Sequence, residues 1–231
     1  KYGLALLLLS FYSCESWLNV TPSDRLSEEM LFNDREGFVK ALNGVYIELN
    51  TNELYGRNLT AGALDVMGQY YSVASSSHAF YNYGGLVYTG NDEKALFDNM
   101  WQKCYAVIAC CNTIIEKCDE NKAGLSPVWK GSIKGEALAL RAMLHMLRLF
   151  GPLTSELDKE SIPYQTNSDQ TVTPLLSGSE VIGLILDDLK NAVGLLKDTD
   201  PYFVEEEFSD TDLNYRRFRM NYFAAKGLMA R

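Results

Sequence analysis

The chain has 231 residues, 47% of them hydrophobic, and its 30 acidic against 21 basic side chains give a formal charge of -9. That composition supports a sizeable core and argues against a disordered chain. The negative charge repels phosphate backbones and anionic lipid head groups, so nucleic acid is not an expected partner.

In chain order, Lys1 and Tyr2 precede a short apolar run, Leu4 to Leu9, too short to cross a bilayer but suited to the apolar region of an export signal. Ser13-Cys14 closes this segment with a small residue before a cysteine, the arrangement a lipoprotein signal peptidase needs. We therefore expect a signal over residues 1–13 and a mature chain beginning at a lipidated Cys14, whose acyl chains would hold the protein to a membrane without a basic patch. An ordinary secretory signal or signal anchor with a chance cysteine is the competing reading.

Helical periodicity begins after Pro22. Asn33, three residues before Glu36, is a candidate cap for a helix over 35–49 with Phe38, Leu42, Val45, Tyr46 and Leu49 inward. A less regular helix is expected from Asn58 to about Tyr70, weakened by Gly62 and Gly68. From Asp92 the pattern Phe97, Trp101, Cys104, Ile108, Cys111, Ile115, Cys118 predicts a long buried helix. Ser126-Pro127 opens the next, over 127–150, with Trp129, Ile133, Ala137, Leu140, Leu144 and Leu147 on one face and Gly151-Pro152 as the stop. Residues 154–176 lack periodicity and read as an extended excursion over the surface. Ser177 to Glu180 then forms a capping box for a helix to about Leu196, with Val181, Leu184, Ile185, Leu189, Ala192 and Leu196 inward. Residues 215–231 carry Phe218, Tyr222, Ala225 and Leu228 or Met229 at helical spacing, a stripe that needs a facing partner. Antiparallel helix pairs without strand signals fit either a helical-repeat solenoid or an irregular bundle.

Cys104, Cys111 and Cys118 stand seven residues apart, about 10.5 Å along one helix face, beyond the reach of a disulfide and too far apart to converge on one metal ion. With Cys110 they read as free thiols in a helix seam, and nothing in the sequence calls for a metal or another cofactor. Catalysis has equally little support. Asp187 and Asp188 are helix neighbours that point to different faces, and Glu205 to Glu207 read as solvated loop. His145 lies mid-helix without a nucleophile or metal-binding motif and reads as a structural residue with a satisfied ring. Arg141 is expected to tie helix to loop, with Glu136 a partner by proximity.

Several separated stretches resemble the SusD/RagB family of nutrient-binding outer-membrane lipoproteins. Cys14 to Asp24, with its cysteine, acidic residue, aromatic, Leu and Pro, resembles the family's mature start, and Phe32 to Tyr46 its first helix. Trp101, Tyr105, Ile108 and Asn112 are similar to its Trp-x-x-x-Tyr-x-x-Ile-x-x-x-Asn helix. Gly135-Glu136-Ala137, Leu140-Arg141-Ala142 and Leu149 to Pro152 match its helix-to-loop signature, and 185–189 and 224–231 add two more. The resemblance implies a mainly α fold of tetratricopeptide-like helix pairs with long irregular loops, over residues 14–231, with the family's carboxy-terminal half absent. It also implies a surface-exposed, lipid-anchored protein of the cell outer membrane, a SusC-like TonB-dependent transporter as partner, a polysaccharide or oligosaccharide as ligand, and no enzymatic activity.

Within that frame residues 70–88 concentrate aromatics with Ser and Gly and carry no charge. Sugars present apolar C–H faces rimmed by hydroxyls, so a surface that binds them needs flat rings with amides or hydroxyls alongside. Tyr81, Asn82 and Tyr83 are the expected glycan contacts, with Tyr71 and His78 secondary, against the alternative that these rings only pin the loop to the core. The competing functions are peptide capture and a helical-repeat scaffold that binds protein alone.

Overall fold

A computed structural model describes residues 28–149, 157–169, 171–209 and 215–231. The signal segment, Cys14 and the Gly151-Pro152 stop lie outside the described residues. The elements in order are α1 (Glu28–Leu31), α2 (Arg35–Leu49), α3 (Ala63–Met67), α4 (Tyr81–Gly84), α5 (Asn91–Glu120), α6 (Pro127–Leu149), β1 (Glu160–Ile162), β2 (Leu176–Ser177), α7 (Gly178–Thr199) and α8 (Tyr222–Ala230), with single 3-10 turns at Glu205–Glu207 and Arg216–Phe218. The chain is mainly α, as expected, and the long helices pack in antiparallel pairs in the tetratricopeptide-like manner.

The pair α6/α7 is held closest. A Cβ on Gly131 would stand 2.6 Å from Thr199 Cγ2, and one on Gly135 would stand 2.8 Å from Leu196 Cγ. Advancing four residues on α6 thus retreats along α7, and bare glycines let the two backbones approach. Helix α5 packs on α6, α2 on both, and α8 on α7. The seam between them holds Phe38, Leu42 and Val45 of α2, Ile108, Cys111 and Ile115 of α5, Ala137, Leu140 and Leu144 of α6, and Val181, Leu189 and Leu196 of α7. Cys104, Cys111 and Cys118 are buried in that seam, and Cys110 is exposed.

Local signals act where the sequence puts them, with some shifts. Ser177 accepts from the Glu180 N–H, and Glu180 returns a bond to the Ser177 N–H, completing the capping box. Ser126 accepts from the Trp129 N–H at 3.3 Å, with Pro127 at the first helical position. The cap of α2 is Asp34, not Asn33; its Oδ1 accepts from the Gly37 N–H at 2.8 Å. The helix expected from Asn58 to Tyr70 shrinks to Ala63–Met67 between Gly62 and Gly68, with 52–62 in turns; each glycine costs a helix interior about 1 kcal/mol relative to alanine, and the helix ends at both. Trp101 and Leu184 lie on helix flanks and are exposed, where the periodicity turned them inward. The expected helix over 215–231 is split by the 3-10 turn, so α8 starts at Tyr222 with Asn221 capping the Ala224 N–H at 2.9 Å, and Phe218 is exposed.

Residues 157–169 are more than a surface excursion. β1 pairs antiparallel with β2, and from the last residue of β1 the chain dips into the core, burying Ile162 and Tyr164. It is held by a buried node on Arg141, whose Nε and Nη2 each donate to an Asp188 oxygen at 2.7 Å, while Nη1 donates to Asn112 Oδ1 at 2.8 Å and the Thr166 carbonyl at 3.3 Å. Arg141 does tie helix to loop, but its carboxylate partner is Asp188. Glu136 serves a separate buried cluster with Arg216 and Arg219, in which Asp200 also takes Arg216 Nε and Nη2 at 3.0 and 2.6 Å. Burial opposes charge on Arg141 and Arg216, yet the carboxylates outweigh it and both guanidinium pKa values are raised.

Candidate functional site

Residues 63–97 form a lobe with its own small core: Ala63, Val66 and Tyr83, with Phe80, Tyr88, Leu96 and Phe97 against them. Helix α4 is one turn long, and that single turn sorts the three expected contacts by direction. Tyr83 points inward, 2% exposed, with ring centroids 5.8 Å from Phe80, 5.9 Å from Phe97 and 6.3 Å from Tyr88. It pins the loop, and its ring is not on the surface where the sequence placed it. Tyr81, two residues earlier on the same turn, is 42% exposed, and Asn82 is exposed beside it.

Tyr81 and Asn82 line a cleft of about 390 Å³ together with Gln69, Tyr71, Ser72, Val73 and Val87. Its floor includes Gly84 and Gly85, and Tyr71 faces it with 43% of its surface exposed. His78 is not among the lining residues; it is exposed, and its Nδ1 accepts from the Phe80 N–H at 3.1 Å. Of the five expected residues the structure thus brings together Tyr71, Tyr81 and Asn82.

The polar groups of the cleft are held from behind. Asn82 Nδ2 donates to Glu93 Oε1 at 2.8 Å, and Glu93 is 5% exposed in the first turn of α5. Gln69, in the left-handed region at φ 60°, donates through Nε2 to the carbonyls of Val66 at 3.2 Å and Gly84 at 3.0 Å. Neither Gln69 nor Glu93 was expected from sequence. The signal that could have found Gln69 is its place after Gly68, at the end of a short helix; Glu93 reads as an ordinary acidic first-turn residue. The product is a concave surface with two exposed phenol rings, two fixed amides and no cation among its lining residues, suited to a flat, hydroxyl-bearing ligand.

The groups weighed for catalysis are engaged elsewhere. Asp188 holds Arg141 through both oxygens and accepts from the Tyr164 hydroxyl at 2.5 Å; Asp187 and Glu205 to Glu207 are exposed. His145 has both ring nitrogens matched, Nδ1 to the Arg141 carbonyl at 3.0 Å and Nε2 accepting from the Gln165 N–H at 3.1 Å, and its ring stacks on Tyr164 at 3.9 Å. Burial, with the nearby Arg141 charge, lowers its pKa to about 4 against the backbone bond that favours the proton. A second cavity of about 220 Å³ borders Glu136, Arg216 and Arg219, and with Asp200 on Arg216 the two guanidiniums are matched by two carboxylates. Among the described residues no group of His, Cys, Asp and Glu could hold a metal, and no helix is long and apolar enough to cross a membrane.

Residues 16–210 match the family model of SusD-like proteins, described as starch-binding and associating with the outer membrane. The chain is 26% identical over 160 residues to SusD-like protein P2 of Formosa agariphila, a match covering 66% of this chain and 30% of that relative. A SusD-like carbohydrate binding protein from Bacteroides vulgatus superposes with a TM-score of 0.64 at 24% identity over 86% of this chain, and a SusD homolog from Bacteroides thetaiotaomicron with 0.64 at 20% identity over 89%. These alignments cover 40% and 37% of the two neighbours, so the chain spans well under half their length. With its helix pairs, its pinned aromatic lobe and a family match over most of its length, the chain belongs to the SusD-like family.

Proposed function

We propose that this protein captures oligosaccharide at the cell surface for import through a TonB-dependent outer-membrane transporter, held to the membrane by lipid on Cys14. The observation that carries the reading is the cleft of Tyr71 and Tyr81 rings beside the Gln69 and Asn82 amides, in a chain whose family is described as starch-binding. Stacking rings take the apolar face of a sugar, and amides take its hydroxyl rim. The outer-membrane association in the family description, with a small residue before Cys14, supports the anchored location and the barrel partner.

The test is calorimetry of the full-length protein against a panel of polysaccharides, with Tyr71→Ala and Tyr81→Ala alongside. Each ring removed takes contact area worth on the order of 1 kcal/mol, roughly a fivefold drop in affinity, while the melting temperature stays put because both rings are exposed. Affinity unchanged in both variants would move the glycan site out of this cleft. Binding of peptides in place of every glycan would favour the peptide-capture reading.

A further inference from the structure

The two amides that line the cleft are both turned the same way. Gln69 Nε2 is committed to two backbone carbonyls, Val66 and Gly84. Asn82 Nδ2 is committed to the Glu93 carboxylate, which accepts only and so dictates which end of the amide faces it. Among the described residues no donor reaches Gln69 Oε1 or Asn82 Oδ1, and both residues are exposed. What the cleft offers a ligand at these positions is therefore a pair of carbonyl oxygens, backed by a carboxylate.

From this we infer that the cleft selects neutral, hydroxyl-donating glycans and discriminates against sulfated or uronic acid glycans, with Glu93 as the positioning residue that fixes the polarity of Asn82. The inference rests on the glycan-capture reading and adds the chemical class of sugar. A hexose hydroxyl can donate to either carbonyl, whereas a sulfate or carboxylate has only acceptors and at these two positions would face acceptors with an anion behind them, leaving it the neutral Ser72, Tyr71 and Tyr81 hydroxyls as side-chain donors and no cation. Arg57, whose guanidinium lies 5.7 Å over the Phe80 ring and whose Nε donates to Asn58 Oδ1 at 3.3 Å, is not among the lining residues and offers the anion no seat.

The experiment uses the full-length protein with amylopectin, laminarin and galactomannan, each paired with its chemically sulfated derivative, at physiological salt and at about 1 M NaCl. Two mismatched acceptors predict at least a roughly tenfold preference for the neutral member of any pair that binds. That preference should survive high salt, where the Debye length falls to about 3 Å and repulsion by the overall negative charge is screened. Gln69→Lys changes an exposed side chain and puts a donor and a cation at the cleft mouth, so the preference should shrink about fivefold or more. Glu93→Ala frees the Asn82 amide to rotate and should shrink it as well, read beside its thermal melt. Equal or stronger binding of the sulfated members, a preference that vanishes at high salt, or no change with Gln69→Lys overturns the inference and leaves glycan capture standing. Failure of every glycan to bind overturns both.

Discussion

The buried Arg141–Asp188 pair gives the sharpest quantitative test of how the loop over the core is held. The Arg141 and Asp188 side chains are 7% and 10% exposed, and the guanidinium makes two bonds to the carboxylate and two more to Asn112 and Thr166. Arg141→Leu leaves Asp188 buried with the Tyr164 hydroxyl as its remaining close donor. An isolated buried carboxylate predicts a loss of about 3–5 kcal/mol in unfolding free energy. Removing the charge too, in Arg141→Leu with Asp188→Leu, leaves only the neutral Asn112 Oδ1 and Thr166 carbonyl without their donor, each worth about 1–3 kcal/mol and already lost in the single variant, while the Tyr164 hydroxyl keeps the Leu184 carbonyl at 3.4 Å. The double variant should therefore recover at least about 1 kcal/mol relative to the single one. The assay is urea denaturation of the full-length protein, comparing extrapolated free energies at constant slope. A single variant that loses less than about 1 kcal/mol, or a double variant no better than the single, would refute the argument that the uncompensated carboxylate dominates.

Further expectations concern pH, the loop and the anchor. His145 titrates at about 4 in the fold and near 6.5 unfolded, so between those values the unfolded chain binds more protons. Stability from this group is complete above about pH 6.5 and declines as pH falls towards 4, by roughly 3 kcal/mol in total; a His145→Asn variant whose pH profile matched wild type would sink the assignment. Tyr83→Ala empties the small core beneath the cleft and should cost about 3 kcal/mol locally, seen as faster proteolysis within residues 63–97, whereas Tyr81→Ala should leave cleavage unchanged. Metabolic labelling with a fatty-acid analogue should mark wild type and spare Cys14→Ala; label retained in that variant would place the anchor elsewhere.

The long helices were legible because their information is local. Periodicity drew α5, α6 and α7 from sequence; Ser177 with Glu180, and Ser126 with Pro127, fixed two of their starts within a few residues. The cysteine seam was read the same way, since seven-residue spacing decides its face before any partner is known. The aromatic segment was legible as a candidate site from composition, but not in detail. A one-turn helix separates Tyr81 from Tyr83, and no periodic pattern over four residues can say which ring faces the core.

What only the tertiary structure decided is the choice of partner across distance. Arg141 selects Asp188, 47 residues on, over Glu136 five residues back, which itself meets Arg216 80 residues on. Helical spacing assigns each side chain a face but not a depth or a crossing, and these follow from how closely Gly131 and Gly135 let α6 meet α7. The polarity of the cleft has the same origin: Gln69 and Asn82 could each present either end of an amide, and the carbonyls of Val66 and Gly84 and the carboxylate of Glu93 fix which. A sequence names the groups that can donate or accept; folding determines which of them are already taken.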